Sequence, residues 1–302
     1  MKNSKHYGAA LTAFVLWGVF SIPLRALQKY GVGEILYFRI FMSAAILILI
    51  LFTSRKKVMQ QEVEKFRLLT KNNKLKVAGL TLVGSLLLTV NWVIFIYTVN
   101  HINIKTASFS YLICPVMTAI LGAVLLKEKL TMLQWLAVGI CTISCILMGI
   151  NSVSEFGYSF FTAITYALYL ISQRLNQGQD RLFGLGIQVV FSFIILNLIF
   201  NQLVKTVPVD LYFYMIIAII AVVFTVIPLF LNLYALNKIK SATIGILMYI
   251  NPIFNFVIAI AVYHEIINSL QIIGYLLIFV ALIIFNFANI KNLTSNKVFS
   301  SN

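Results

Sequence analysis

Acidic residues are scarce. Eight Asp and Glu stand against 23 Lys and Arg in a chain of 302 residues, and charged residues of both signs make up only 10%. An ordinary soluble domain carries roughly 25%, so the composition excludes a normally hydrated surface. Cysteine is nearly as rare, and Cys114, Cys141 and Cys145 all fall in apolar runs without a CxxC pair or a neighbouring histidine. That excludes a zinc site or a disulfide framework and leaves three small packing residues. The three histidines, His6, His101 and His264, sit only at the borders of apolar segments. With no Walker loop, no closely spaced carboxylates and no Ser/His/Asp set, the chain is expected to be no enzyme and to need no cofactor or metal. No Asp or Glu lies deep in an apolar segment either, which excludes a buried carboxylate proton relay.

What the chain has in abundance is apolar length: 61% of residues are hydrophobic and the mean hydropathy is +0.97. A membrane-spanning helix needs about 20 mainly apolar residues. Ten such segments occur, at 7–28, 34–53, 75–98, 104–126, 130–150, 156–175, 182–204, 211–236, 241–262 and 269–290. The expected fold is therefore an all-α integral membrane protein of ten transmembrane helices, most of them joined by short turns. The one long connection, Ser54 to Lys74, is polar and basic, and the 54–76 stretch is a candidate contact for anionic lipid. The net charge of +15 would suggest nucleic acid in a soluble protein. Here its distribution explains it: with the N-terminus inside, eighteen basic residues fall on the cytoplasmic side of the spans and four on the other. Basic residues near span ends are retained in the cytoplasm, so both termini are expected there, and no nucleic-acid partner is implied.

The chain repeats itself. At a shift of 137, Tyr97, Asn100, Ile102, Thr106, Ile113, Pro115, Glu128, Leu133 and Gln134 coincide with Tyr234, Asn237, Ile239, Thr243, Ile250, Pro252, Glu265, Leu270 and Gln271. At a shift of 149, Trp17, Phe20, Arg25 and Gln28 face Tyr166, Tyr169, Arg174 and Gln177. Both shifts map segments one to five onto six to ten, dividing the chain into 1–152 and 153–302. An odd number of spans in each half gives the halves opposite orientation, an inverted-topology repeat of the kind common in secondary transporters.

Candidate functional residues are those that lipid cannot satisfy. Pro115 and Pro252 sit at equivalent places inside segments four and nine, where a proline leaves a carbonyl without its helical donor. They are candidate hinges. Arg39 lies about five residues, or about 8 Å, into the second segment. A guanidinium there faces a cavity, a partner or the interface. Two roles stay open for it: holding an anionic group of a substrate, or a structural tie to a carbonyl or to Glu34. Among the polar and aromatic side chains inside segments (Trp17, Asn91, Trp92, Tyr97, Tyr111, Tyr166, Tyr169, Gln188, Asn232, Tyr249 and Asn251), Trp17, Asn91, Trp92 and Tyr111 are farthest from the ends. Glu128 and Glu265, at equivalent ends of segments four and nine, either favour the N-terminus of a following helix or form gate contacts.

The run Asn91-Trp92, Phe95-Ile96, Val99-Asn100, Tyr111 and Pro115, followed by Glu128 and Gln134-Trp135, resembles RarD-like members of the EamA family in the drug/metabolite transporter superfamily, as does Glu34-Ile-Leu with Arg39. The resemblance covers nearly the whole chain. It implies a bacterial inner-membrane carrier with two inverted five-helix halves and a cavity lined largely by helices 1, 3, 4, 6, 8 and 9, exporting small metabolites, amino acids or drugs. The chain departs from the family at Cys114, where Asn usually precedes the proline; the second half keeps Asn251-Pro252. The expectation is thus a secondary transporter of a small organic solute whose substrate meets some of Trp17, Arg39, Asn91, Trp92, Tyr111 and Asn251. The alternative is a non-transporting scaffold or sensor that docks a partner through the basic connection.

Overall fold

The computed structural model describes residues 4–98, 104–149, 153–262 and 269–298, which form helices and turns with one isolated bridge between Gln177 and Gln179. In order the helices are α1 Ser4–Gly18, α2 Ser21–Ala26, α3 Val32–Phe52, α4 Lys56–Leu68, α5 Lys71–Tyr97, α6 Ile104–Leu125, α7 Met132–Gly149, α8 Val153–Leu175, α9 Arg181–Leu198, α10 Phe200–Leu203, α11 Leu211–Ala221, a π-helical turn Val222–Val226, α12 Ile227–Leu236, α13 Ser241–Leu247, α14 Ile250–Ala261 and α15 Ser269–Val298. Each of the ten expected segments contains helix. Among the described residues, five stretches are long and apolar enough to cross a bilayer: Ser4–Ala26, Val32–Phe52, Lys71–Phe95, Arg181–Leu198 and Leu211–Leu236. The basic connection between segments two and three forms α4, whose Lys56, Lys57, Lys65 and Arg67 are exposed.

Several segments are interrupted, and proline explains two of the interruptions. Pro252 has no N–H to return to Met248, and the ninth segment breaks there into α13 and α14, with Met248 and Tyr249 between them. Pro228 has none to return to Phe224, and the eighth segment loosens into the π-helical turn just before it. Pro115 behaves differently: α6 runs through it unbroken. The Leu112 carbonyl, one turn earlier, takes a hydrogen bond from Tyr249 Oη at 2.8 Å and another from Cys145 Sγ at 3.2 Å. Side-chain donors from neighbouring helices thus serve a carbonyl beside the proline, as lipid could not.

Packing obeys the repeat. α1 lies on α12 as α8 lies on α5, while α3 pairs with α9, α6 with α13 and α7 with α15. Every one of these pairings survives exchange of the halves. The correspondence extends to single residues. α3 and α9 begin at Val32 and Arg181, positions separated by the same shift of 149 that relates Trp17 to Tyr166. The Tyr37 and Phe200 rings meet at 4.7 Å, and their counterparts, Gly186 and Leu51, also meet: a Cβ on Gly186 would lie 2.6 Å from Leu51 Cδ1. Two contacts join a position to its own counterpart and therefore lie on the pseudo-two-fold axis: Trp17 against Tyr166, with centroids 6.3 Å apart, and Leu112 against Tyr249.

Lipid is as apolar as leucine, so burial alone does not drive these helices together; close packing and interhelical hydrogen bonds do. Thr81, Ser85 and Thr89, spaced by four, form one polar stripe on α5, each hydroxyl donating to the carbonyl four residues back. The stripe meets Asn176 Nδ2 at 3.0 Å and Ser192 Oγ at 2.8 Å. Ser144 Oγ donates to the Gly274 carbonyl between α7 and α15. Such bonds contribute about 0.6 kcal/mol each in membranes. Large apolar side chains such as Phe41, Ile48, Phe52, Leu86, Ile143 and Phe279 remain exposed on the outside, as a lipid-facing surface requires.

Candidate functional site: an arginine at one end of an aromatic belt

The break between α1 and α2 leaves Phe20 outside regular helix and turns its ring inward. It packs on Phe224 of the π-helical turn at 5.6 Å and lies 5.9 Å from the guanidinium carbon of Arg39. Trp92 of α5 covers the same guanidinium at 5.5 Å. Tyr111 of α6 lies within its electrostatic reach and packs on Phe95 at 5.4 Å. Four segments of the chain thus converge on one cation.

Arg39 sits about 10 Å along α3 from its start. It points about 160° away from the exposed stripe of Phe41, Ile48 and Phe52, at about 100° per residue, so it looks into the bundle and not at lipid. The side chain is partly exposed, yet Nε is sealed from solvent and lacks a hydrogen-bond partner. Among the described residues its guanidinium makes no ion pair and no hydrogen bond. Of the two structural ties left open by the sequence, the one to Glu34 is corrected: the Glu34 carboxylate is buried and accepts the N–H groups of Lys205 at 2.9 Å and Thr206 at 3.2 Å. The Arg39 carbonyl takes Ser43 Oγ at 2.8 Å, but that is backbone chemistry. Cation–π contacts of this kind contribute about 1–2 kcal/mol. An unmade buried hydrogen bond costs about 1–3 kcal/mol, so the site holds its arginine under tension.

From Arg39 a belt of rings crosses the protein. Trp17 Nε1 donates to the Phe224 carbonyl at 3.1 Å, the carbonyl that Pro228 leaves without its helical donor. Trp17 stands edge-on to Tyr166, Tyr166 accepts from Asn232 Nδ2 at 3.2 Å and packs on Tyr169 at 5.7 Å, and Tyr169 Oη donates to Gln188 Oε1 at 3.4 Å. Gln188 is the counterpart of Arg39 at the shift of 149, and Tyr169 that of Phe20. The belt therefore runs from one position to its own mate across the axis. In the sequence, Gln188, Tyr166, Tyr169 and Asn232 stand out as polar groups inside segments, but nothing local joins them into one belt. Phe20 is visible there only as a repeat partner of Tyr169. Extending the 149 shift into the second segment would have paired Arg39 with Gln188.

The remaining candidates stand elsewhere. Asn91 donates Nδ2 to the Thr162 carbonyl at 2.7 Å and Thr165 Oγ1 at 3.2 Å, tying α5 to α8 away from the arginine. Asn251 is buried in α14 beneath Gly18, where an added Cβ would lie 3.3 Å from the Asn251 carbonyl. Pro115 and Pro252 are both buried, and the Pro115 carbonyl comes so near α13 that a Cβ on Gly245 would approach it to 3.0 Å. Glu265 lies outside the described residues.

Glu128 closes one end of the bundle. After α6, Lys127 takes a left-handed backbone with φ of 53° and the Glu128 N–H bonds back to the Gly122 carbonyl at 3.1 Å, a helix-ending turn that aims the carboxylate at the other half. There it accepts the N–H groups of Ser241 at 2.9 Å and Ala242 at 3.1 Å, capping α13. Arg174 Nε lies 3.9 Å away, and Arg174 Nη1 also donates to the Leu236 carbonyl. The Arg55–Asp180 pair at 2.7 Å and the bond from Lys240 Nζ to the Lys129 carbonyl mark the same basic end. At the opposite end Asp210 holds Lys29 at 3.3 Å and Tyr30 Oη. The Tyr30 hydroxyl, then Lys29, hold the Asp210 carboxyl below its ordinary range. Among the described residues no three His, Cys, Asp or Glu side chains come together as a metal site would require.

Comparison with known proteins agrees with this architecture. The model of the EamA-like transporter family matches residues 5–150 and again 155–287. An uncharacterized transporter, YojE of Bacillus subtilis, is 29% identical over 282 residues, covering 92% of each chain. Protein RarD of Streptomyces exfoliatus is 27% identical, covering 90% of this chain and 85% of its own, and Protein RarD of Escherichia coli is 24% identical over 91% and 92%. A protein of known crystal structure superposes with a TM-score of 0.74 at 12% identity, covering 95% of this chain and 99% of its own, which establishes the fold.

Proposed function

The chain belongs to the EamA-like transporter family, a family of bacterial multi-pass membrane transporters, and from that premise we propose that it is a secondary transporter moving a small organic solute outward across the inner membrane by alternating access. The solute, a metabolite, amino acid or drug-like compound, binds on the aromatic belt between the halves 1–152 and 153–302. Both termini lie in the cytoplasm, and the exposed basic residues of α4 meet anionic lipid there.

The observation that carries this reading is the meeting of equivalent positions on the pseudo-two-fold axis, Trp17 with Tyr166 and Leu112 with Tyr249. Two halves of opposite sense packed about such an axis can exchange conformations, so that each shape open to one side has a counterpart open to the other. The breaks at Phe20 and between α13 and α14, and the π-helical turn, supply the joints; Pro115 and Pro252 set where the fourth and ninth segments flex. Glu128 is the gate of the basic end: its cap on α13 must be released for the halves to part there. Glu265, its repeat partner, serves the opposite end.

Counterflow in proteoliposomes tests the reading. Liposomes holding purified protein and preloaded with unlabelled solute should accumulate labelled solute for at least one member of a panel of amino acids, nucleosides, aromatic acids and drugs. No accumulation for any member, with correctly inserted protein, would count decisively against transport.

A further inference from the structure

Three places were strongest for an additional role: the water-sized notch among Gln173, Asn176, Arg181 and Gln188, the exposed basic face of α4, and the Arg39 cluster. The notch holds about 10 Å³, room for one water, and α4 shows nothing that selects a partner beyond charge. Only the Arg39 cluster carries a specific chemistry.

We propose that Arg39, in contact with the rings of Phe20 and Trp92, is the recognition site for a single carboxylate on the transported solute, so that the protein carries organic monoanions with a flat or apolar body. The inference rests on the transport reading and narrows it to a charge class. A guanidinium presents donors in a planar fork that matches a carboxylate with two parallel hydrogen bonds. Here the guanidinium lies over two aromatic rings, Phe20 at 5.9 Å and Trp92 at 5.5 Å, which hold it by its charge and leave its N–H donors for a ligand. Nε is sealed from solvent and unpartnered, so the donors a carboxylate would meet are Nη1 and Nη2 at the tip of this partly exposed side chain. Glu34, the acidic residue nearest in sequence, is buried and turned to the N–H groups of Lys205 and Thr206, and forms no ion pair with Arg39.

The count of charges selects the class. No second Lys or Arg joins the cluster among the described residues, so one positive charge balances a carboxylate, whereas a phosphate dianion would leave a net negative charge in low dielectric. A cationic solute would meet repulsion and find no acidic partner. The rings that extend from Phe20 through Phe224 and Trp17 to Tyr166 offer a surface for the rest of the molecule. The repeat gives an internal control: where Arg39, Phe20, Trp92 and Tyr111 stand in the first half, Gln188, Tyr169, Leu229 and Met248 stand in the second, with no charge and with Gln188 bonded to Tyr169. A binding site that is symmetric in backbone is thus asymmetric in charge, and a solute with one charged end is oriented by it.

The test uses full-length protein in liposomes and matched probes that differ only in charge: benzoate, phenylacetate and 3-phenylpropionate against their neutral amides, with phenethylamine as the cation. Wild-type protein should exchange at least one acid more than tenfold faster than its amide. Arg39→Gln, which copies the residue of the other half, should bring acid and amide to within twofold of each other, and Arg39→Lys should keep a reduced preference for the acid. Size-exclusion profiles of each variant check folding, and quenching of Trp92 emission by the acid, lost in Trp92→Phe, reports binding without transport. Equal exchange of acid and amide by wild type, or an acid preference that survives Arg39→Gln, overturns the charge class and leaves transport standing. Failure to exchange any probe of any charge, including the wider panel above, removes the transport reading and this proposal with it.

Discussion

The two ends of the aromatic belt occupy the same place in the repeat and solve opposite problems. At one end Gln188 is 1% exposed and hydrogen-bonded to Tyr169, an uncharged pair that contributes to packing. At the other, Arg39 is charged, faces aromatic rings and has a donor without a partner. If both positions served stability alone, the Gln solution would suffice twice, because a cation within a span costs at least ~2.5 kcal/mol. The first half carries that cost and the second does not. Such a contrast is what a ligand-binding position in a duplicated scaffold looks like, since stability is often lowered where function needs an unsatisfied group.

Mutating one end into the other has the largest expected effect. Arg39→Gln should cut solute exchange more than tenfold while raising thermal stability in detergent by about 1 kcal/mol, the charge penalty less the lost cation–π contacts. A fall in stability together with activity would mean that Arg39 is structural and would erase the contrast. The reciprocal truncation, Gln188→Ala, should do the reverse, lowering stability by about 1–3 kcal/mol through an unpaired Tyr169 hydroxyl and lost packing, with exchange largely kept. Thermal unfolding and counterflow on the two variants read both sides of the comparison.

The tie between the belt and the joints comes next. Glu128→Ala removes the cap from α13 and should cost about 1–2 kcal/mol. It should also speed maleimide labelling of Cys114, which is 1% exposed on α6 beside α13, if releasing the cap parts the halves at the basic end. Trp17→Phe keeps the ring and removes one donor, leaving the Phe224 carbonyl without a partner; a loss of about 1 kcal/mol is expected, readable in the same unfolding assay.

The smallest effect concerns the end away from the basic face. Because Asp210 titrates below its ordinary range, its hold on Tyr30 and Lys29 is complete at neutral pH and is lost only as the pH falls through that lowered value. Hydrogen exchange in residues 29–31 and 205–210 should therefore be unchanged by this group between pH 5 and 8 and rise in strong acid. Asp210→Asn should show the loosened loop at every pH.

Much of this architecture is legible in the order of the amino acids. Hydropathy marked apolar segments that each contain helix, and the repeat of Tyr97, Asn100, Pro115 and Glu128 in Tyr234, Asn237, Pro252 and Glu265 pointed to a duplication, in keeping with the two matches of the family model, because matches of rare residue types survive where apolar ones are uninformative. The interruptions were less legible. Equivalent prolines do not act alike: Pro252 splits its segment, and Pro115 stays within a continuous helix where donors from Tyr249 and Cys145 reach a nearby carbonyl. Those donors come from distant parts of the chain, so local sequence could not weigh them. Depth in a segment says nothing of azimuth: Asn91 is a candidate by its depth, and only the structure shows that its amide meets Thr162 and Thr165.

Composition, hydrophobic length and repetition are properties of the chain in order, and they determined by themselves that this is a duplicated, all-helical membrane protein with one cation inside a span. Which groups surround that cation was decided only by tertiary structure, because Phe20, Arg39, Trp92 and Tyr111 come from four separate segments. The same holds for Glu34, five residues from Arg39 in sequence yet committed to Lys205 and Thr206 on the far half. Nearness in sequence fixes what can be reached, and the crossing of helices fixes what is met.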